Sequence, residues 1–145
     1  MPKETSSNIL GDQRLGHVFP DWYSILYGTC CGFLIPWTIF LAYALPQRYV
    51  SGHWSIAWVG FDCFEIILFA ITALLAIHHS TWTAITSVML GTTLIIDAWF
   101  DILTARTMKT EREAIIEAIV IEVPIAILSF VLTYRVFNYV RKQSK

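Results

Sequence analysis

Six carboxylates fall within or at the margins of otherwise apolar runs: Asp62 and Glu65, Asp97 and Asp101, and Glu117 and Glu122. An ionised carboxylate deep in a bilayer costs about 2.5 kcal/mol or more, so a group of them requires protons, counter-cations or water. Desolvation and mutual repulsion both oppose ionisation, which makes proton or cation binding the leading chemistry. At helical spacing Asp62, Glu65, Phe69 and Thr72 share one face of their segment, while Thr86, Thr93, Asp97, Asp101 and Thr104 form a polar stripe on theirs. Glu117 and Glu122 are five apart and point in different directions on a regular helix. Glu122, deeper in its run and beside Pro124, is the one expected to face the interior.

The expected proton- or cation-binding residues are therefore Asp62, Glu65, Asp97, Asp101 and Glu122, with Trp58, Trp99, Thr93, Arg106 and His53 in support. Asp97-Ala98-Trp99-Phe100-Asp101 sets two carboxylates one helical turn apart, a spacing that suits a hard divalent ion, with Asp62 as the further ligand. A divalent cation is the one cofactor these residues suggest. Membrane phosphotransferases and prenyltransferases that use a DxxxD motif surround it with more acidic motifs and phosphate-binding basic residues, and those are missing here. No catalytic residue is assigned. His53 belongs to the carboxylate-side rim, His78 and His79 to the opposite turn and His17 to the segment before the first span, so they form no common site, and Cys63 merely shares a membrane side with His53. A purely structural reading also exists, in which protonated acids, Trp58, Trp99 and the threonines hydrogen-bond across helices and Arg106 pairs with Asp101 at the rim.

The elements that must carry these groups follow from composition. The 145 residues are 56% hydrophobic and 14% charged, with a mean hydropathy of +0.58, too apolar for an ordinary soluble domain of this length. Four runs approach the roughly 20 residues that cross a hydrocarbon core: 23–45, 56–77, 82–103 and 114–137. Short connections at 46–53, 78–81 and 105–110 make neighbours antiparallel. The expected fold is all-α, a single integral-membrane, four-helix, up-and-down bundle over 1–145, with polar termini at 1–22 and 138–145. That threading places all six carboxylates in one half of the membrane.

Lys3, Arg14, Arg141, Lys142 and Lys145 outnumber Arg48, Arg106, Lys109 and Arg112, with Arg135 near a boundary, so the positive-inside rule puts both termini in the cytoplasm. Trp22, Tyr23, Trp82 and Tyr139 mark one interface, and Trp54, Trp58 and Trp99 the other. The net charge of −1 and basic residues that gather at the termini and in two connections argue against nucleic acid as a partner. The expected partners are the lipid bilayer, an ion or small-molecule substrate, and a second copy of the chain. No small-residue cleavage site follows a short apolar core, so the first helix is expected to remain in the mature protein.

Gly28-Thr29-Cys30-Cys31-Gly32 has the small-xxx-small spacing that lets helix backbones approach in lipid, either in a dimer seam or, preferentially, in internal packing. Cys30, Cys31 and Cys63 lack metal-ligand spacing and read as small packing residues. Pro36 and Pro124 lie within spans, where a lost backbone hydrogen bond can kink a helix.

Trp58-Val59-Gly60-Phe61-Asp62, Asp97-Ala98-Trp99-Phe100-Asp101 and Glu122-Val123-Pro124 together give the chain a resemblance to small four-helix membrane proteins of actinobacteria and Gram-positive relatives, which carry WVGFD, DAWFD and E-x-P signatures. It covers the last two thirds of the chain and includes Asp62, Asp97, Asp101 and Glu122. The resemblance implies a bacterial inner-membrane location and brings no activity with it. The leading function is thus a transporter, channel or ion-linked sensor that binds protons or cations, with an accessory subunit of a larger membrane complex and a metal-assisted membrane hydrolase as rivals.

Overall fold

A computed structural model of the chain describes residues 18–45 and 53–143. His17, Lys3, Arg14, Arg48, Lys145 and most of the first connection lie outside the described residues. Four long helices account for almost all of the rest: α1, Asp21–Ala44; α2, Trp54–Ile77; α3, Thr83–Thr104; and α4, Met108–Gln143. No strand occurs among the described residues. Each helix is long and apolar enough to cross a membrane. The chain divides into two compact units, residues 1–80 and 81–145.

In the first unit α1 and α2 run antiparallel, because their contacts pair early residues of one with late residues of the other. The Phe19 ring meets the edge of His79 at 5.6 Å, Tyr27 lies 6.2 Å from Phe69, and the Cys31 thiol donates to the Ile66 carbonyl at 3.7 Å. Farther along, the Thr38 hydroxyl donates to the Leu34 carbonyl at 2.8 Å and approaches Asp62 Oδ2 at 3.3 Å. Tyr23, Tyr27 and Thr38 are the buried residues of α1. The α2 residues expected to share a face, Asp62, Glu65, Phe69 and Thr72, are all buried.

At the end of α2 His79 takes a left-handed backbone, φ 50°, with its N–H bonded to the Ala76 carbonyl and that of Ser80 to Leu75. This paired arrangement satisfies the last carbonyls of the helix. It needs one residue at positive φ, a position usually taken by glycine.

The second unit is also an antiparallel helix pair. Ser87 Oγ donates to the Ser129 carbonyl at 2.8 Å, and Thr133 Oγ1 to the Ala84 carbonyl at 3.2 Å. Beyond these bonds, one turn past Ser87, Gly91 faces the Ala126 carbonyl, so close that a Cβ there would sit 3.1 Å from that oxygen and from the Phe130 ring. The small-residue approach in this unit therefore uses Gly91. By contrast, a Cβ built at Gly28 or Gly32 meets nothing within 4 Å, so within the first unit α2 does not close on that motif.

The fourth helix starts at Met108, earlier than the apolar run that begins at 114, because Thr107 caps it. Thr107 Oγ1 accepts from the Thr110 N–H at 3.1 Å, and Thr110 Oγ1 accepts from the Thr107 N–H at 3.0 Å. This reciprocal box satisfies otherwise orphaned donors and lets two polar, exposed turns stay helical. Lys109 and Glu113 add an exposed pair at 3.7 Å, of small energetic weight.

Within α4 the α-helical stretches Met108–Glu117 and Val123–Gln143 are joined by a π-helical turn, Ala118–Glu122, in which the Val123 N–H reaches back to the Ala118 carbonyl. Pro124 supplies the physical reason: it has no N–H for the Val120 carbonyl, and its ring would clash with that carbonyl in a regular helix. An extra residue in the turn relieves both problems.

Candidate functional site

Asp97 and Asp101 project from α3 one turn apart, both half-buried. Gly91, six residues before Asp97, brings the backbone of α4 against α3. Continuing the antiparallel register from Gly91 and Ala126 toward the end of α3 brings Glu122 level with Ile95, just before Asp97. One carboxylate oxygen from each of Asp97, Asp101 and Glu122 lies within 4.8 Å of the others. At that distance two unit negative charges repel by about 3 kcal/mol or more at an effective dielectric of 20. A bound proton or cation relieves this repulsion.

Glu122 is the most enclosed member, only 6% exposed. Its Oε2 is buried and has no hydrogen-bond partner among the described residues. Its charged neighbours are Asp97, Asp101 and Glu117. The π turn between Glu117 and Glu122 makes the two glutamates diverge less than a regular helix would. Five residues of α-helix carry a side chain about 140° past a full turn, but the i→i+5 repeat of a π turn returns it to nearly the same face. Glu117 is half-buried and Glu122 buried, so Glu122 remains the deeper group.

Asp62 and Glu65 belong to the first unit, where they are 5% and 2% exposed. Thr38 reaches Asp62 there, an interaction that the spacing of α2 could not reveal. The three-carboxylate group of the second unit is composed of Asp97, Asp101 and Glu122.

The supporting residues divide. Thr93 stands one turn before Asp97, but its hydroxyl donates to its own helix, to Leu90 at 2.9 Å and Met89 at 3.1 Å. Trp99 is two residues from each aspartate and 65% exposed, on the other side of α3 from the carboxylates. Trp58 is half-buried and packs edge to face on Trp54 at 5.7 Å. Arg106 is exposed just beyond α3, and His53 is exposed at the start of α2, where its side chain makes no capping bond. The cysteines are free thiols, Cys30 and Cys31 half-buried and Cys63 exposed.

Two contributors escape the sequence expectations. Gly91 sets the separation of α3 and α4, and its signal was the pair Ser87 and Gly91, four apart and equally small. The π turn is signalled only by Pro124. Chemically, the site offers three oxygen ligands on two apolar helices, suited to holding a proton or a hard cation. Comparison of the chain with protein-family models, with curated proteins and with solved structures finds no match to any of them.

Proposed function

We propose that the chain is a small multi-pass protein of the bacterial inner membrane whose acidic site binds protons or cations, as a transporter, channel or ion-linked sensor. The observation that carries this reading is the convergence of Asp97, Asp101 and Glu122 within 4.8 Å on two helices apolar enough to span a bilayer. Three acids held this close in apolar surroundings are costly unless something neutralises them. The burial of Asp62 and Glu65 adds acidic groups of the same kind on α2.

The fuller picture is an up-and-down four-helix bundle with both termini in the cytoplasm, where Arg141 and Lys142 end α4. The signature segments around Asp62, Asp97 and Glu122 support membership of the small four-helix membrane family they resemble. Four helices leave little room for a pathway, and the open face of α1 around Gly28 and Gly32 suits a second copy of the chain. That same face favours a second reading, an accessory subunit of a larger complex, because α1 is the least buried of the four helices.

Infrared spectra of the purified protein in nanodiscs test the reading. In the native protein, changing pH or adding cations is expected to perturb the carboxyl bands as a coupled set, and Asp97→Asn or Glu122→Gln to abolish that coupling. If every carboxyl titrates independently near the ordinary value of about 4, and no cation alters the bands, the accessory-subunit reading takes its place.

A further inference from the structure

The three-carboxylate group carries a more specific assignment, which rests on the cation-binding reading above. We infer that Asp97, Asp101 and Glu122 are the protein ligands of one hard divalent cation of the Ca²⁺, Mn²⁺ or Mg²⁺ type, held between α3 and the π turn of α4.

Donor chemistry comes first. The group consists of carboxylates alone, with neither thiolate nor imidazole. All-oxygen sets favour hard divalent ions, whereas sulfur and nitrogen ligands favour zinc and copper. Three ionised carboxylates carry three negative charges. A monovalent ion leaves two of them in apolar surroundings and a divalent ion leaves one, so the divalent ion removes more of the repulsion.

Size agrees with charge. Three oxygens no more than 4.8 Å apart lie within about 2.8 Å of a common centre, the circumradius of a triangle of that side; the ligand distances of about 2.3–2.6 Å for Ca²⁺ are reached by contraction of at most about 0.2–0.5 Å, and those of about 2.0–2.1 Å for Mg²⁺ by at most about 0.7–0.8 Å. Such contraction needs only side-chain rotation on two helices already pinned by the Ser87 and Thr133 hydrogen bonds. Water completes the coordination shell, as hard cations commonly retain several waters.

Glu122 distinguishes this group from a chance cluster of acids. It is 6% exposed, its Oε2 lacks a hydrogen-bond partner among the described residues, and one of its carboxylate oxygens lies within 4.8 Å of an oxygen on each aspartate. Buried polar atoms are ordinarily paired, so a carboxylate oxygen held this way calls for a ligand. The turn that presents it is the irregular one, Ala118–Glu122, and π turns recur at functional sites because they re-aim side chains without ending a helix.

Mn²⁺ serves as the probe. Full-length protein in nanodiscs of uncharged lipid is titrated with Mn²⁺, and free ion is followed by electron paramagnetic resonance. One ion per chain is expected, displaced by Ca²⁺ or Mg²⁺ but not by excess Na⁺ or K⁺. Asp97→Asn, Asp101→Asn and Glu122→Gln should each weaken binding roughly tenfold or more, while Glu113→Gln, on an exposed turn outside the group, should leave it unchanged. Nuclear magnetic resonance of the unmutated protein gives a second measurement independent of variant folding: Mn²⁺ should broaden signals around 97, 101 and 122 before all others. Absence of Mn²⁺ binding, equal binding by native protein and all three variants, or broadening centred elsewhere overturns the assignment. If Mn²⁺ fails while protons or monovalent cations still perturb the coupled carboxyl bands, the divalent assignment falls and the broader reading stands. If the bands are also unresponsive, both fall.

Discussion

Replacing Gly91 by leucine tests whether the close approach of α3 and α4 builds the acidic site. A Cβ at this position already meets the Ala126 carbonyl and the Phe130 ring at 3.1 Å, and the remaining leucine atoms have no room between the backbones. Phe130 can turn aside, but the Ala126 carbonyl is backbone, anchored by the Ser87–Ser129 and Thr133–Ala84 hydrogen bonds on its far side. Overpacking costs about 1–3 kcal/mol. Loss of the two interhelical bonds adds about 0.6 kcal/mol each by membrane-protein measurements, and the better helix propensity of leucine returns somewhat under 1 kcal/mol. The net expectation is a destabilisation of about 2–3 kcal/mol. Reversible unfolding in mixed micelles, followed by circular dichroism at protein concentrations low enough to exclude association, measures it. Gly28→Leu and Gly32→Leu are internal controls, since nothing lies within 4 Å of a Cβ at either, and neither should lose more than about 0.5 kcal/mol. Gly91→Leu should also weaken Mn²⁺ binding without touching a ligand, because it spreads the helices that position Asp97 and Glu122. Unchanged stability in Gly91→Leu, or a greater loss in Gly28→Leu, would refute the reasoning.

Thr107→Ala removes the reciprocal cap and should cost about 1 kcal/mol, seen as faster amide exchange at Lys109, Thr110 and Glu111 with α3 unaffected; unchanged exchange there would mean that the cap does not hold the first turns of α4. Pro124→Ala restores an N–H for the Val120 carbonyl, so the π turn should relax to a regular helix, with a gain of about 1 kcal/mol or more and with Glu117 swinging away from Glu122. Persistence of the Val123–Ala118 bond in that variant, read by scalar couplings across the hydrogen bond, would assign the turn to packing instead of proline.

Helix type and the local placement of the aspartates were legible in the residues themselves. Four apolar runs of nearly bilayer length can satisfy their backbones as helices without water, and the four-residue spacing of Asp97 and Asp101 puts both on one side of any such helix. The same local rule misplaced Glu117 relative to Glu122, because it assumes a constant number of residues per turn and Pro124 interrupts that repeat. It also drew attention to Gly28 and Gly32 ahead of Gly91: small residues permit close approach wherever they stand, but only a facing backbone makes use of it. The start of α4 was placed late for a related reason, since hydropathy sees where a helix becomes apolar and not where Thr107 and Thr110 close their capping bonds.

The sequence by itself determined that this is an all-α chain with four long apolar helices, and that carboxylates interrupt three of them, in two at helical spacing. These are consequences of composition and of periodicity within single segments. The tertiary structure decided which carboxylates share a site. Asp97 and Glu122 are 25 positions apart, and their meeting depends on the antiparallel register that Ser87, Gly91 and Thr133 fix between α3 and α4, together with the extra residue in the turn before Pro124. Neither is a property of one helix: register is set by side chains packing across a pair, and only that packing brings three like charges close enough to need a common partner.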